Sequence, residues 1–454
     1  MIYGRYFSNF THESKMKAIS RYTFPACAAL LLAGGFASCS ETDAEKDKGA
    51  TPVIKYARVC DAELADSLIV SAALGSHICF VGDNLGDVQQ VWFNDQKAKL
   101  NPTMVTSHTI IVDIPNNIPG EVTNIAKFIT SSGNTVDYPF NVTVPAPRID
   151  KMTCEYAHAG DIVTISGAYF ADDPNVPITV TFPGNIPAEI RSISQDALEI
   201  EVPEGSEEGP VTVTSIYGVG TSSFHYLDTR GLMFDFDGAT GLSNHGWHNA
   251  AIEDDGTGIS GNYMRLGDGE TVLAGSDAWD DNNFSFEYWA GSWNTPTDYP
   301  EREGVRLFDL VDFSDFNDMS LKFEICIPAA AEWHSCAMQI IFAGTDKVSM
   351  GNAGTDIYGN TVAGCNNEYF QGTSARGLWS PWTTQEGYHT DGKWVTVSLP
   401  IKDFVYAPDG SGATTFLSSP SDFASLQLFL WNGGAVGVDC TPLLKIDNIR
   451  AVKN

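Results

Sequence analysis

Short apolar stretches that alternate in period two, punctuated by turn residues about every 8–12 positions, fill this chain from residue 51 to residue 454. No stretch keeps a 3.6-residue period over more than two turns. The pattern restricts the fold to stacked sheets. The first half also repeats itself weakly at a spacing of about 85 residues. His77-Ile-Cys-Phe-Val-Gly-Asp-Asn-Leu85 answers to Ile162-Val-Thr-Ile-Ser-Gly-Ala-Tyr-Phe170, with Gly82 and Gly167 in the same place. Val91–Asn94 answers to Val180–Pro183, and Ile110–Pro115 to Leu198–Pro203. Gly120 and Gly209 are read as opening the next strand pair. Two small β-sandwiches are therefore expected, at 51–145 and 146–228, divided at Pro145-Ala-Pro147 and near Asp228–Arg230. Nothing in them has the look of a reactive site, so their expected role is spacing.

The remaining residues, 229–454, hold nine of the ten tryptophans, Trp92 being the exception. Many strands joined by long aromatic loops over some 225 residues fit a larger, jelly-roll-like sandwich. The fold class is thus all-β: two immunoglobulin-like modules followed by one larger sandwich.

Two segments at the start are read as processing signals. Lys17 and Arg21 precede an apolar run from Phe24 to Phe36, and Phe36-Ala-Ser-Cys39 closes it, as in a lipoprotein leader spanning 1–39. Met16 competes with Met1 as the start. Cys39 would be the lipidated residue, and the charged stretch 40–50 a disordered tether. With Cys27 also in the leader, seven cysteines remain beyond it, an odd number with no Cys-x-x-Cys, and make neither a disulfide framework nor a zinc site.

The net charge of −31 repels phosphate backbones, so nucleic acid is excluded as a partner, and a neutral ligand suits the chain better than a polyanion. Sugar rings offer C–H faces that stack on aromatic planes, and hydroxyls that need polar neighbours. The stretch Asn282–Asn294 has that make-up. Read as a strand, it puts Trp289, Gly291 and Trp293 on one face, an open platform roughly 13 Å long between the two indoles. Trp379 and Trp382 form a second candidate cluster, and Trp247, between His245 and His248, a third. Trp394, Trp431 and Trp333 are read as core. Acidic residues abound, but no pairing at glycosidase distance can be read, nor a Gly-x-Ser-x-Gly elbow, His-Glu-x-x-His or phosphate loop. The chain is not expected to be an enzyme. An adhesion protein whose last domain docks another protein would present the same aromatic row.

The glycine-after-strand pattern and the Ile-x-Val-Pro strand resemble TIG-type immunoglobulin-like domains. Trp247–Asp255, Phe284–Asn294, Arg306–Leu310 and Lys445–Arg450, together with the leader, resemble the surface glycan-binding proteins of Bacteroidetes polysaccharide-utilisation loci. The resemblance is to the group carrying a C-terminal xyloglucan-binding type of domain. It implies a lipid-anchored, outward-facing outer-membrane protein that holds a neutral β-glucan beside a porin-type importer and a surface endoglycanase. The group spans xyloglucan, mixed-linkage glucan and mannan binders. It also implies an aromatic platform containing an adjacent Tyr-Trp pair, here Tyr288-Trp289, with Trp247 as the earlier tryptophan. Glycan binders of this architecture often tie a structural calcium to their first and last strands, where Asp237 and Asp447 stand here. On this reading residues 229–454 alone should bind as well as the whole mature chain.

Overall fold

The computed structural model describes residues 42–454, except 62–63, 65–66, 247, 277–282, 291–304, 345–353, 356–360, 363–373 and 385, and gives only the backbone at 354–355 and 361–362. No helix among the described residues is long and apolar enough to cross a membrane. Cys39 and the leader lie outside the described residues.

The first module packs the sheet Leu68–Ile69, Val53–Val59, His77–Asp83, Thr109–Asp113 against the sheet Gln96–Lys97, Val88–Phe93, Ile125–Thr130, Thr135–Pro139. Phe80, Phe93, Phe128 and Phe140 fill the space between them, Phe80 meeting Phe128 edge-on at 4.9 Å. The second module repeats the plan. Arg148–Met152, Ile162–Ala168, Ala197–Glu201 and Glu189–Ile193 form one sheet. Ile186–Pro187, Thr179–Phe182, Gly209–Ser215 and Gly218–Tyr226 form the other.

The repeated glycines have one structural cause. Gly82 pairs with Ile54 and Gly167 with Ile149, each beside a bulge in the module's first strand. A Cβ on Gly82 would stand 2.0 Å from the Val53 carbonyl oxygen, and one on Gly167 1.9 Å from that of Arg148. Only glycine lets the bulged strand approach so closely. The other glycine match fails. Gly209 does open a strand, but Gly120 sits in the loop before Ile125–Thr130, where its N–H donates to Asp95.

Residues 42–50 are not a disordered tether. Thr42 and Glu45 form a reciprocal capping box on a one-turn helix, Asp43–Lys46. Its carboxylates grip the first module: Asp47 accepts from the Gly86 N–H at 2.9 Å and Asp43 from that of Ser107 at 3.2 Å. Asp47 is buried.

The last domain is a sandwich whose larger sheet runs Ala251–Glu253, Tyr263–Leu266, Leu444–Lys453, Met319–Cys326, Trp394–Pro400, with Leu232–Phe234 also paired to Leu444–Lys453. Its smaller sheet runs Ser285–Tyr288, Ser425–Leu430, Met338–Ala343, Gly377–Trp379. Strand alternation sends Leu321, Phe323 and Ile325 into the shared core and Lys322 and Glu324 to the other side. That other side is not solvated. It meets the second module through a buried charge cluster of Glu155, Lys322, Glu324 and Arg450. Thr396 adds a backbone bond to Thr153 at 2.9 Å, and Ile259 packs into the second module's core. The boundary expected at residue 228 therefore falls inside a continuous packed joint. Trp394, read as core, packs against the second module instead, its indole N–H donating to Thr257.

Candidate functional site

The larger sheet is occupied on both faces, by the core and by the second module. The smaller sheet has one face in the core, and its outer side is turned away from the second module. Register places Ser285 beside Phe429 and Gln339, and Glu287 beside Gln427 and Ile341. Alternate residues Phe286, Tyr288, Leu426, Leu428, Ile340 and Phe342 point the opposite way, into the core. The outer side thus carries an unusual layer of polar groups in a closed setting: Ser285, Glu287, Gln339, Arg376, Ser425 and Gln427 are all buried. They are organised by hydrogen bonds. Arg376 donates to Gln339 Oε1 at 2.7 Å, and Gln339 Nε2 donates to the carbonyls of Pro408 (3.1 Å) and Trp431 (2.6 Å). Buried polar layers that are bonded in this way fix side-chain positions.

The segment before the edge strand extends this surface. The His245 N–H donates to the Glu287 carbonyl at 2.9 Å and the Trp289 N–H to the His245 carbonyl at 2.7 Å, so this segment runs alongside Ser285–Tyr288. A Cβ on Gly246 would strike the Glu287 carboxylate at 2.4 Å, so glycine is needed there. His248 is buried, its ring edge-on to Phe429 at 5.4 Å.

Four residues of the expected aromatic platform are packed, wholly or in part, against the protein. Trp289 does lie on the outer side, as alternation requires, but it is fully enclosed, clustered with Ala290, Ile341, Ala343, Ala424 and Phe429. Phe308 and Trp431 pack onto that cluster. Tyr288 belongs to the main core, in edge contact with Phe234 at 5.3 Å, its hydroxyl donating to the Val305 carbonyl. Trp382 is 7% exposed and shares the Cys336 carbonyl with Trp333 as acceptor of both indole N–H groups, at 3.2 and 3.1 Å. Trp379 is half-buried among Trp333, Tyr388 and Phe323. Trp333, Trp379 and Trp382 are packed with the core between the sheets, whereas Trp289 is enclosed on the outer side. Trp431, read as core, keeps partial exposure beside Trp289. Trp247 and Trp293 lie outside the described residues.

Asp237 follows the strand Leu232–Phe234, and Asp447 lies within the last strand, Leu444–Lys453. Asp237 accepts from the N–H and the side-chain amide of Asn262 (2.7 and 2.8 Å), and Asp447 from Ser260 at 2.8 Å. Burial, aided by Glu324 and Asp237 nearby, pushes the Asp447 carboxyl up to about 7. Among the described residues, no third acidic or histidine ligand gathers with them. The one such trio among the described residues is Glu208, His225 and Asp228. There the Arg230 guanidinium already pairs with the buried Asp228 at 2.7 Å, which leaves little for a cation.

The profile described as the surface glycan-binding protein B xyloglucan binding domain matches residues 226–453, and that of the IPT/TIG domain matches 147–227. The chain is 42% identical to the crystallised surface glycan-binding protein PbSGBP-B from Prevotella bryantii, over 89% of this chain and 99% of that one, with a TM-score of 0.81. The chain belongs to the surface glycan-binding protein B family. An IPT/TIG domain-containing protein of Bacteroides ovatus is 32% identical over 157 residues, 33% of this chain and 32% of that protein, so the chain spans about a third of that curated relative. The family is one of non-catalytic glycan binders, and this member keeps its all-β plan of TIG-type modules ahead of the binding domain.

Proposed function

We propose that this protein captures a neutral β-glucan, of xyloglucan or mixed-linkage type, for uptake and degradation at the cell surface. The observation that carries the reading is the match of residues 226–453 to the xyloglucan-binding domain, half of the chain. The geometry supports it. The outer side of the smaller sheet faces away from the second module, and its buried, hydrogen-bonded polar layer gives a binding surface a rigid base. Stacking falls to Trp247 and Trp293, which adjoin residues 245–246 and 285–290 in sequence, and to the partly exposed Trp431. Trp289 braces its own cluster on the outer side, while Tyr288, Trp379 and Trp382 hold the core.

Lipidation at Cys39 would fix the chain to the outer membrane, and the docked helix at Asp43–Lys46 would hold the first module close to that anchor. A glycan importer and a surface endoglycanase would be the neighbours served. The calcium reading stays attached to Asp237 and Asp447. Affinity electrophoresis tests the main proposal: migration of the mature chain should slow in gels cast with xyloglucan or mixed-linkage glucan. Unchanged migration in both would reject it.

A further inference from the structure

The first module carries one feature that spacing does not require. Trp92, the single tryptophan outside the last domain, is not part of the module's core cluster. It stands on the outer side of the sheet, paired across to Lys97 and Lys127 while its neighbours Val91 and Phe93 point inward. It is half-buried there, with part of its indole left uncovered outside the core.

It lies in a groove of about 490 Å³. Asn94, Asp95, Glu121, Thr123 and Lys127 line it with Trp92. The walls are fixed before any ligand arrives. The indole N–H donates to Gln90 at 3.0 Å, which sets the ring plane. Asn94 Oδ1 accepts from the N–H groups of Thr123 (3.0 Å) and Asn124 (2.7 Å), which holds its side chain in place. Asp95 holds the Gly120 N–H at 3.0 Å. The rim is tied to the second module by the Val122 N–H, which donates to Asp173 at 2.9 Å. Two carboxylates, Asp95 and Glu121, are offset by Lys127 in the groove and Lys97, whose ammonium lies 5.8 Å from the indole centre. Ile125 and Ile129, roughly 13 Å apart along their strand, give the floor apolar strips. An aromatic plane, apolar strips, fixed hydroxyl and amide partners and balanced charge form a surface for a neutral pyranose chain.

We propose that this groove is a second, weaker carbohydrate subsite, contacting the same polymer that the last domain holds. The proposal rests on the glucan reading above. Two contacts on one chain raise avidity for a polymer without changing either site's affinity for a short oligosaccharide.

The test uses the whole mature chain labelled with 5-fluorotryptophan. Trp92→Phe identifies the Trp92 fluorine resonance by its disappearance. The labelled protein is then titrated with a xyloglucan oligosaccharide and with a mixed-linkage gluco-oligosaccharide. The expected result is a saturable shift of the Trp92 resonance at higher ligand concentration than the shifts from the last domain. In parallel, Trp92→Ala should weaken retention by polymeric glucan by about three- to tenfold. A Trp92 resonance that does not move with either ligand overturns the subsite and leaves the residue as a clasp between strands. If other tryptophans still shift, the glucan reading survives that loss; if none shifts, both fall together.

Discussion

The Arg450 guanidinium lies between Glu324, on the adjoining strand, and Glu155 of the preceding module, donating to each carboxylate at 2.7 Å. Lys322 adds a 2.6 Å bond to Glu155, and Thr396 a 2.8 Å bond to Glu324. Two cations and two anions are thus buried together across a domain boundary, where removing one leaves a charge that nothing repays.

Glu155→Ala should destabilise the joined unit by about 3–5 kcal/mol, a drop in melting temperature on the order of 10 °C. By the same reasoning a fragment starting at residue 229 lacks Glu155 and should melt well below residues 146–454. Differential scanning calorimetry of the variant and both fragments checks this. Equal melting temperatures would mean the joint contributes nothing.

Asp447 supplies a pH dependence of known sign. Its folded carboxyl titrates near 7, above the unfolded value of 3.8. Between those values the folded state holds a proton that the unfolded state has lost, so stability from this residue is full below about pH 4 and is lost as pH rises through 7. Asp447→Asn should therefore raise the melting temperature at pH 8 more than at pH 5. If calcium occupies the site, added calcium should stabilise the wild type at pH 8 and not the variant; melts with calcium and with chelator decide it.

Trp289→Ala should cost about 3–5 kcal/mol of stability, as expected for an enclosed indole. A variant that melts like the wild type but binds no glucan would restore Trp289 to an open platform and contradict its enclosure against Phe429 and Ile341.

The history of these residues in the sequence is instructive. The twin modules were legible because the bulge opposite Gly82 and Gly167 demands glycine, and that demand leaves a mark at fixed spacing. Alternation put Trp289 on the correct side of its strand, but it cannot say whether that side is open. The clue lay in Ser285, Gln339, Ser425 and Gln427, small or neutral polar residues that together make a bonded layer rather than a wet surface. The docked helix had its signal in Thr42 and Glu45, a capping box set within a charged run. The joint had none: Glu155 and Arg450 are 295 positions apart, and each alone reads as an ordinary surface charge.

Cys39→Ala should release the protein from membranes, and surface protease should reach the wild type on intact cells. Membrane retention of the variant, or protection of the wild type, would remove the anchor from the account.

The central claim is capture of a neutral β-glucan by a strongly acidic protein through stacking and fixed polar groups. Isothermal titration of the mature chain with xyloglucan, mixed-linkage glucan and, as the opposing case, polygalacturonate tests it most directly. The account predicts saturable binding to at least one neutral glucan that changes little between low and high salt, and none to the polyanion. Binding to polygalacturonate with no response to either glucan would contradict it.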